Sequence, residues 1–221
     1  MAEKFYRLGC DIGGTFTDFV LLNDQTGELK IYKCLTTPKD PSDAVEHGIR
    51  QMEIPTPGFV ERLDEVIHGT TLVINSIIER KGAKTGLITT KGFRDVLEIG
   101  RGIRYAPYDV FAEFPKPLIP RHLRFEVDER IRSDGTVLKP LDPDEAGLVI
   151  RDLLKIGVES TAVCLINSFE NPTHELMLKE MIEKEAPGMS VSISYRVLPQ
   201  IKEYERTSTT ATNAYVKPLT G

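Results

Sequence analysis

Eight residues near the amino terminus combine two acids, two glycines and two hydroxyls: Asp11-Ile12-Gly13-Gly14-Thr15-Phe16-Thr17-Asp18. Paired glycines between strands permit a tight turn whose amides can approach an anion closely, because no Cβ stands in the way. Thr15 and Thr17 can add hydroxyl donors to phosphate oxygens, and Asp11, at the end of the first strand, can hold Mg2+ through water. Asp18 assists the metal or orients the hairpin. A plain hairpin turn also accommodates Gly-Gly with flanking Thr and Asp as caps. What favours a phosphate cradle is the setting, with an acid before the glycines and two hydroxyls and a second acid after them. The segment is neither a Walker loop nor a Rossmann fingerprint, since no GKS or GKT and no GxGxxG follows a strand.

A second group is His68-Gly69-Thr70-Thr71. It ends a short strand, the place where open α/β sheets put their ligands. His68 can polarise a substrate carbonyl or a phosphorylated intermediate while Thr70 and Thr71 donate hydrogen bonds. Equally, Thr70 or Thr71 can cap the next helix and His68 can be structural. Arg94, Arg101 and Arg104 could neutralise a carboxylate or phosphate, but with Glu98 among them they have the pattern of an exposed helix end. Glu203, Glu205, Arg206 and the hydroxyl run Thr207 to Thr210 form either helix-start chemistry or a polar patch at a boundary. His47, His122 and His174 have no spacing that suggests a shared metal. Cys10, Cys34 and Cys164 are odd in number and far apart, which predicts buried reduced thiols rather than disulfides.

The elements that must position these groups follow from patterning. Phe5 to Ile12, Phe16 to Leu22 and Glu28 to Leu35 read as an antiparallel meander. The loop Thr37 to Pro41 leads to Ser42 or Asp43 as the N-cap of a helix reaching about Met52. Glu65 to His68 is a short strand, Leu72 to Lys81 a buried helix closed by Gly82, Thr85 to Thr89 a strand, and Lys91 to Ile99 another helix. Residues 100–120 form a long loop with prolines at 107, 115, 117 and 120 and the aromatics Tyr105, Tyr108, Phe111 and Phe114. Arg124 to Ile131 and Thr136 to Leu138 read as a hairpin. Helix Asp142 to Ile156, strand Ser160 to Ile166, helix Pro172 to Ala186, strand Val191 to Val197 and a helix from Ile201 to Tyr215 complete an α/β alternation. The expected division is a phosphate-hairpin lobe over 1–100, a loop-and-hairpin insertion over 101–140 and an α/β continuation over 141–221.

Composition removes whole classes. With 221 residues, 40% hydrophobic and 28% charged, the chain is ordinary globular material, and no run approaches the roughly 18 apolar residues that span a bilayer. A net charge of −5 with scattered basic residues gives no nucleic-acid footprint. The start lacks the apolar core and cleavage site of a signal peptide, so the expected location is cytoplasmic.

Four ordered blocks carry a resemblance. Asp11 to Asp18 resembles the first phosphate motif of the actin-like ATPase superfamily. His68 to Ala83 resembles the "HGTT…TNALLERKGA" block of the hydantoinase A/5-oxoprolinase family, with Ile74 where Thr is common. Gly86 to Arg101 is similar to that family's next block, and Tyr204 to Val216 to its "YERTSTT…NAYV" helix. The resemblance implies an α/β fold, an RNase H-like or actin-like ATPase half in which a three-stranded antiparallel meander precedes alternating helices and strands in a mixed sheet. It also implies ATP and Mg2+ as cofactors and, in the family, a following C-terminal hydantoinase A region that supplies a second phosphate loop and the adenosine contacts. The implied activity is ATP-dependent hydrolysis of a cyclic amide activated by phosphorylation of its carbonyl oxygen. An ATP-dependent ketone carboxylase subunit, or an assembly module that docks a partner chain and is silent when isolated, are the alternatives. The expected partners are a cyclic amide or ketone substrate, the C-terminal region and a second subunit.

Overall fold

The structure is a computed structural model that describes residues 3–37, 40–103, 106 and 108–220. Pro38 and Lys39 of the first proline loop, and Arg104, Tyr105 and Pro107 of the aromatic loop, lie outside the described residues. The chain divides into two compact units, Met1–Glu79 and Arg80–Gly221. That break precedes the boundary read at residue 100, because the strand at 85–90 pairs entirely within the second unit.

The first unit opens with the meander β1 (Tyr6–Ile12), β2 (Phe16–Asn23) and β3 (Leu29–Leu35). Strict alternation sends Leu8, Cys10, Ile12, Phe19 and Leu21 to one buried face. Helix α1 (Pro41–Glu53) turns Ala44, Gly48 and Met52 inward. Its N-cap is Asp40 rather than Ser42 or Asp43: the Asp40 carboxylate accepts from the Ser42 amide at 2.9 Å, and Pro41 takes the first helical position, where its missing N–H costs nothing. Gly48 is where α1 meets the sheet, since a Cβ there would lie 2.2 Å from the Phe19 ring.

Strand β4 (Leu63–Thr70) then pairs parallel with β1, giving the order β3-β2-β1-β4. It is longer than Glu65 to His68 and is followed by α2 (Leu72–Ile78). On the sheet face away from α1, Ile67, Gly9, Val20 and Ile31 stand in one cross-strand row, with Ile31 78% exposed.

The second unit is built on an all-parallel sheet in the order β10-β9-β5-β6, from β5 (Thr85–Thr90), β6 (Arg124–Val127), β9 (Ser160–Cys164) and β10 (Ser190–Ile193). Every residue of β5 and β9 is buried, the signature of a sheet covered on both faces. Helices α4 (Pro143–Ile156), α5 (Thr173–Glu185) and α7 (Glu203–Thr220) supply the cover, burying Ile150 and Leu153, Leu178 and Ile182, and Ala211 and Ala214.

Several elements depart from expectation for local reasons. The Lys91 to Ile99 helix shrinks to α3 (Val96–Ile99), because Gly92 sits at a φ of 91° and turns the chain instead. Arg124 to Ile131 does not act as one hairpin arm. β6 joins the parallel sheet, and the chain breaks at Glu129, whose buried carboxylate accepts from the Thr90 hydroxyl and meets His174 Nδ1 at 2.7 Å. Only β7 (Arg130–Ile131) and β8 (Val137–Lys139) form the antiparallel pair. The strand expected to reach Val197 stops at Ile193 and continues as the short helix α6 (Ser194–Val197), while α7 runs past Tyr215 to Thr220.

The α6 turn serves a buried ionic network. Arg206 is fully buried, and its Nη1 donates to the Leu165 carbonyl at 2.7 Å, to Ser194 Oγ at 2.9 Å and to Ser168 Oγ. Ser194 in turn donates to Glu175 Oε1 at 2.6 Å, and the amides of Leu165 and Tyr195 donate to the two Glu175 oxygens. Burial pushes the Glu175 carboxyl upward, and these donated bonds pull it back. Arg206 Nε and Nη2 have no hydrogen-bond acceptor among the described residues, and the guanidinium lies 5.5 Å from the Phe169 ring centroid, a cation–π contact. Both units are thus α/β, a mixed sheet begun by a meander and then a parallel layer, as expected for an actin-like ATPase half. Among the described residues no helix is long and apolar enough to cross a membrane.

Two outcomes follow for denaturant titration. Gly48→Val should cost about 1–3 kcal/mol by driving its side chain into Phe19, and an unchanged midpoint would show that α1 does not seat there. Glu175→Ala should cost about 3–5 kcal/mol because it strands a buried guanidinium, and adding Arg206→Met should recover part of that loss. Additive losses in the double variant would show that the two charges do not act as a network.

Candidate phosphate-binding site

Parallel pairing brings the carboxyl ends of β1 and β4 together, with Asp11 opposite Gly69 and Ile12 opposite Thr70. Beyond Ile12 the chain turns through Gly13, Gly14 and Thr15 into β2, closed by the Gly13 amide donating to the Phe16 carbonyl at 2.9 Å. A Cβ on Gly13 would stand 2.9 Å from that same carbonyl, so the turn geometry itself demands glycine here. Gly14 and Thr15 are exposed. Among the described residues, no carbonyl or side chain accepts from either of their amides. Two donors at the rim of a sheet, with Asp11 exposed at the end of β1, form a polar edge suited to an anion accompanied by a cation.

The back of the turn is locked from inside. Thr36 donates its hydroxyl to the Gly13 carbonyl at 2.9 Å and lies 2.9 Å from the Thr17 hydroxyl, while its amide donates to the Thr15 carbonyl at 2.9 Å. Thr17 is fully buried in this arrangement. The expectation that Thr17 donates to a phosphate is therefore corrected: strand alternation turns it to the core, opposite Ile12, and its hydroxyl is engaged with Thr36. Thr15 keeps an exposed hydroxyl at the turn.

Asp18 stands directly across from Asp11 on the same sheet face, and Lys33 Nζ holds it at 2.8 Å. Lys33 also lies 4.7 Å from the Phe16 ring centroid. Asp18 is thus paired to its neighbouring strand, the orienting role of the two considered. Asp11 remains the open carboxylate. Among the described residues no three His, Cys, Asp or Glu side chains gather around a metal position. A magnesium ion that travels with a polyphosphate needs only one or two protein carboxylates, and Asp11 is a hard oxygen donor of that kind.

On the β4 side, the Thr71 amide donates to the Ile12 carbonyl at 3.1 Å, and the hydroxyls of Thr70 and Thr71 each lie 3.5 Å from that oxygen. Thr71, just beyond β4, therefore sits at the rim, whereas Thr70 is in register with Ile12 and its side chain leaves the strand on the α1 face, which corrects the expectation that both threonines face the hairpin site. His68 is not at the rim either. It pairs with Cys10, so its side chain faces α1, and it lines a cavity of about 690 Å3 with Ile12, Val45 and Ile49. Asp11 projects from the opposite face, 3.7 Å from where a Gly69 Cβ would be. The sheet separates the imidazole from the carboxylate, so the pairing of His68 with the phosphate hairpin that sequence order suggested does not form.

Asn75 and Thr36 were passed over in reading the sequence. Asn75 Nδ2 lies 3.0 Å from the position of a Gly14 Cβ and donates to Thr71 Oγ1 at 3.1 Å. The three cysteines are free, and burial raises each thiol above its ordinary range, which leaves them protonated and poor nucleophiles. Arg101 pairs with Glu205 at 2.7 Å, and the half-buried Arg94 donates to the Arg121 carbonyl at 3.1 Å; neither lies within α3, so the exposed helix end expected for them is not what holds them.

Comparison with known proteins agrees with this architecture. Residues 7–186 match the model of the hydantoinase/oxoprolinase N-terminal region. The chain is 38% identical to caprolactamase subunit alpha of Pseudomonas jessenii, over 100% of this chain and 32% of that protein. It is also 38% identical to the acetophenone carboxylase gamma subunit of Aromatoleum aromaticum, over 97% of this chain and 31% of that one. The crystal structure of the ATP-dependent caprolactamase from Pseudomonas jessenii superposes with a TM-score of 0.86 at 38% identity, covering 97% of this chain and 32% of its own. The chain spans about a third of the length of these relatives. A glycine turn on a meander, followed by a parallel layer and matched over this length, places the chain in the hydantoinase/oxoprolinase family, of which it carries the N-terminal region.

Proposed function

We propose that this chain contributes the phosphate-binding wall of an ATP-dependent enzyme that activates the carbonyl oxygen of a cyclic amide for hydrolysis. The observation that carries the reading is the exposed Gly14–Thr15 turn, whose amides have no acceptor among the described residues and which follows the strand that carries the exposed Asp11 carboxylate. Preorganised donors of this kind stabilise charge on a transferring phosphoryl group without reorganisation cost. The amides of Gly14 and Thr15 and the Thr15 hydroxyl hold the polyphosphate oxygens. Asp11 holds Mg2+, which when bound neutralises the charge of the β- and γ-phosphates. Thr71 forms the neighbouring rim and orients the acceptor carbonyl, while Thr70, in register with Ile12, ends β4 on the His68 face. His68, on the α1 face, belongs to a separate cavity and takes no part in the transfer.

Hydrolysis of an unstrained lactam is thermodynamically poor, and phosphorylating the amide oxygen makes the carbonyl carbon a better electrophile for water. That chemistry needs a second wall to enclose the nucleotide. The exposed row of Val20, Ile31 and Ile67 supports a further protein layer on the Asp11 face, consistent with a C-terminal hydantoinase A region and a second subunit. The chain's match to proteins named as subunits agrees with this. The reading places the protein in the cytoplasm, where ATP is at hand and the three thiols stay reduced.

A ketone carboxylase subunit is the second reading. It is favoured by the acetophenone carboxylase relative and by the acetone carboxylase nucleotide-free structure, which superposes with a TM-score of 0.83 at 29% identity over 98% of this chain and 33% of its own. Activating an enol and activating a lactam both require phosphoryl transfer to oxygen, so the turn serves either.

The test measures ADP release by this chain joined to its C-terminal region and partner subunit, with hydantoin, 5-oxoproline and caprolactam, and separately with acetone plus bicarbonate. Release driven by a lactam is expected, and release driven only by ketone plus bicarbonate would hand the function to the second reading. Asp11→Asn should lower kcat by about 100-fold or more, on the scale of losing one electrostatic stabiliser of a transition state, and chelation of Mg2+ should abolish turnover. The isolated 221-residue chain should turn over ATP weakly or not at all, and enzyme-like rates from it alone would contradict the need for a second wall.

A further inference from the structure

We infer that Asn75 is the positioning residue that sets the shape of the phosphate turn, and that Gly14 is glycine to admit the Asn75 carboxamide. The inference rests on the phosphate-site reading above. Gly14 is not at positive φ, so backbone conformation does not demand a glycine there. What a side chain would meet is Asn75, with Nδ2 at 3.0 Å and Cγ at 3.6 Å from the Cβ position. Contacts as tight as 3.0 Å require the neighbour to give way. Gly13 differs, since its Cβ would strike the backbone oxygen of Phe16. The two glycines therefore answer to different constraints, one to the turn and one to a side chain arriving from α2.

That side chain is itself held. Asn75 Nδ2 donates to Thr71 Oγ1 at 3.1 Å, its backbone amide donates to the Thr71 carbonyl at 2.9 Å, and the Thr71 amide is fixed on the Ile12 carbonyl at 3.1 Å. A connected path thus runs from the end of β1, through the β4–α2 turn, to the second glycine of the hairpin. Thr36 braces the turn at Gly13 from the β3 side. Asn75 fills the space at Gly14 from the α2 side, 3.0 Å from where a Cβ would stand. Between them the peptide that presents the Gly14 and Thr15 amides has little room to rotate, which is what a preorganised anion cradle requires. A primary amide is well suited to this position, being small, uncharged beside an anion site and able to donate on one side while lying against a glycine on the other.

The test uses the full-length protein purified with its natural partner subunits, with MgATP affinity measured by calorimetry and KM and kcat by ADP release. Asn75→Ala should raise both the Kd and the KM for MgATP by about tenfold or more, a loss of about 1.4 kcal/mol. The melting temperature should stay near the parent value, and the change in KM for the organic substrate, passed on through the Thr71 hydroxyl, should be smaller than the change for MgATP. Asn75→Asp, which keeps the shape but adds a negative charge beside the phosphates, should weaken MgATP at least as much without unfolding, and it stands in if the alanine variant is unstable. Gly14→Ala should cost about tenfold in MgATP affinity in the parent and under about threefold in the Asn75→Ala background, because the obstructing carboxamide is gone. MgATP binding within threefold of the parent in both Asn75 variants, or an equal Gly14→Ala penalty in both backgrounds, would overturn the inference while leaving the phosphate site standing. A folded parent that fails to bind MgATP would overturn the phosphate site and the inference together.

Discussion

The parallel pairing of β1 with β4 is the constraint on which the site depends. It sets Asp11 against Gly69 and Ile12 against Thr70, so the glycine turn that leaves β1 and Thr71, which follows β4, end at one rim. Nearly sixty residues of sequence lie between these groups, and no local pattern joins them. A register slip of one residue would exchange the faces of every side chain on β4, turning His68 to the Asp11 face. The Thr71 amide bonded to the Ile12 carbonyl fixes that register where it matters, at the strand ends.

The same pairing explains why a histidine so near the site is not part of it. Side chains on neighbouring strands at matched positions share a face, and His68 is matched to Cys10, a core residue, rather than to Asp11. Period-two alternation decides the matter more firmly than distance along the chain. It also removes Thr17, which falls in register with Ile12 and spends its hydroxyl on Thr36. What remains is a smaller group than the two motifs suggest: the backbone of Gly14 and Thr15, the Thr15 hydroxyl, Asp11, and Thr71 at the end of β4.

Much of the fold was legible because its signals are local. The meander, the α/β alternation and the Pro-bearing helix starts announce themselves through alternation and punctuation, and the strand and helix order holds from β1 to α7. The misreadings share one cause, tertiary partners that reassign a local preference. Arg124 to Ile131 has the composition of a single strand, yet Glu129 is drawn inward by Thr90 and His174, which divides it between two sheets. Val191 to Val197 looks like a strand until Ser194 bonds Glu175 and closes a helical turn. Helix α7 overrides the weak propensity of its hydroxyl run by burying Arg206, Thr207 and Thr210. The site was legible as a motif but not as a geometry. Asn75 and Thr36 carry no signature that a sequence scan would flag, since their importance lies in which glycine each one touches.

The charge arrangement on the Asp11 face bears on what the site can hold. Two carboxylates directly opposite each other would repel, and Lys33 relieves this by pairing with Asp18. The pair is about half exposed, so its own contribution to stability is modest. Its effect is instead to leave Asp11, of these two acids, without an ion-pair partner among the described residues, next to a turn whose amides have no acceptor among them. A site with two open carboxylates would oppose a polyphosphate, and a site with none would bind the anion without its magnesium. One carboxylate with two donors satisfies both members of an ion pair that arrive together. The rest of the coordination must come from the nucleotide, from water and from protein beyond this wall, which is why a chain that shapes one side of the phosphates so closely would depend on another layer to complete the chemistry.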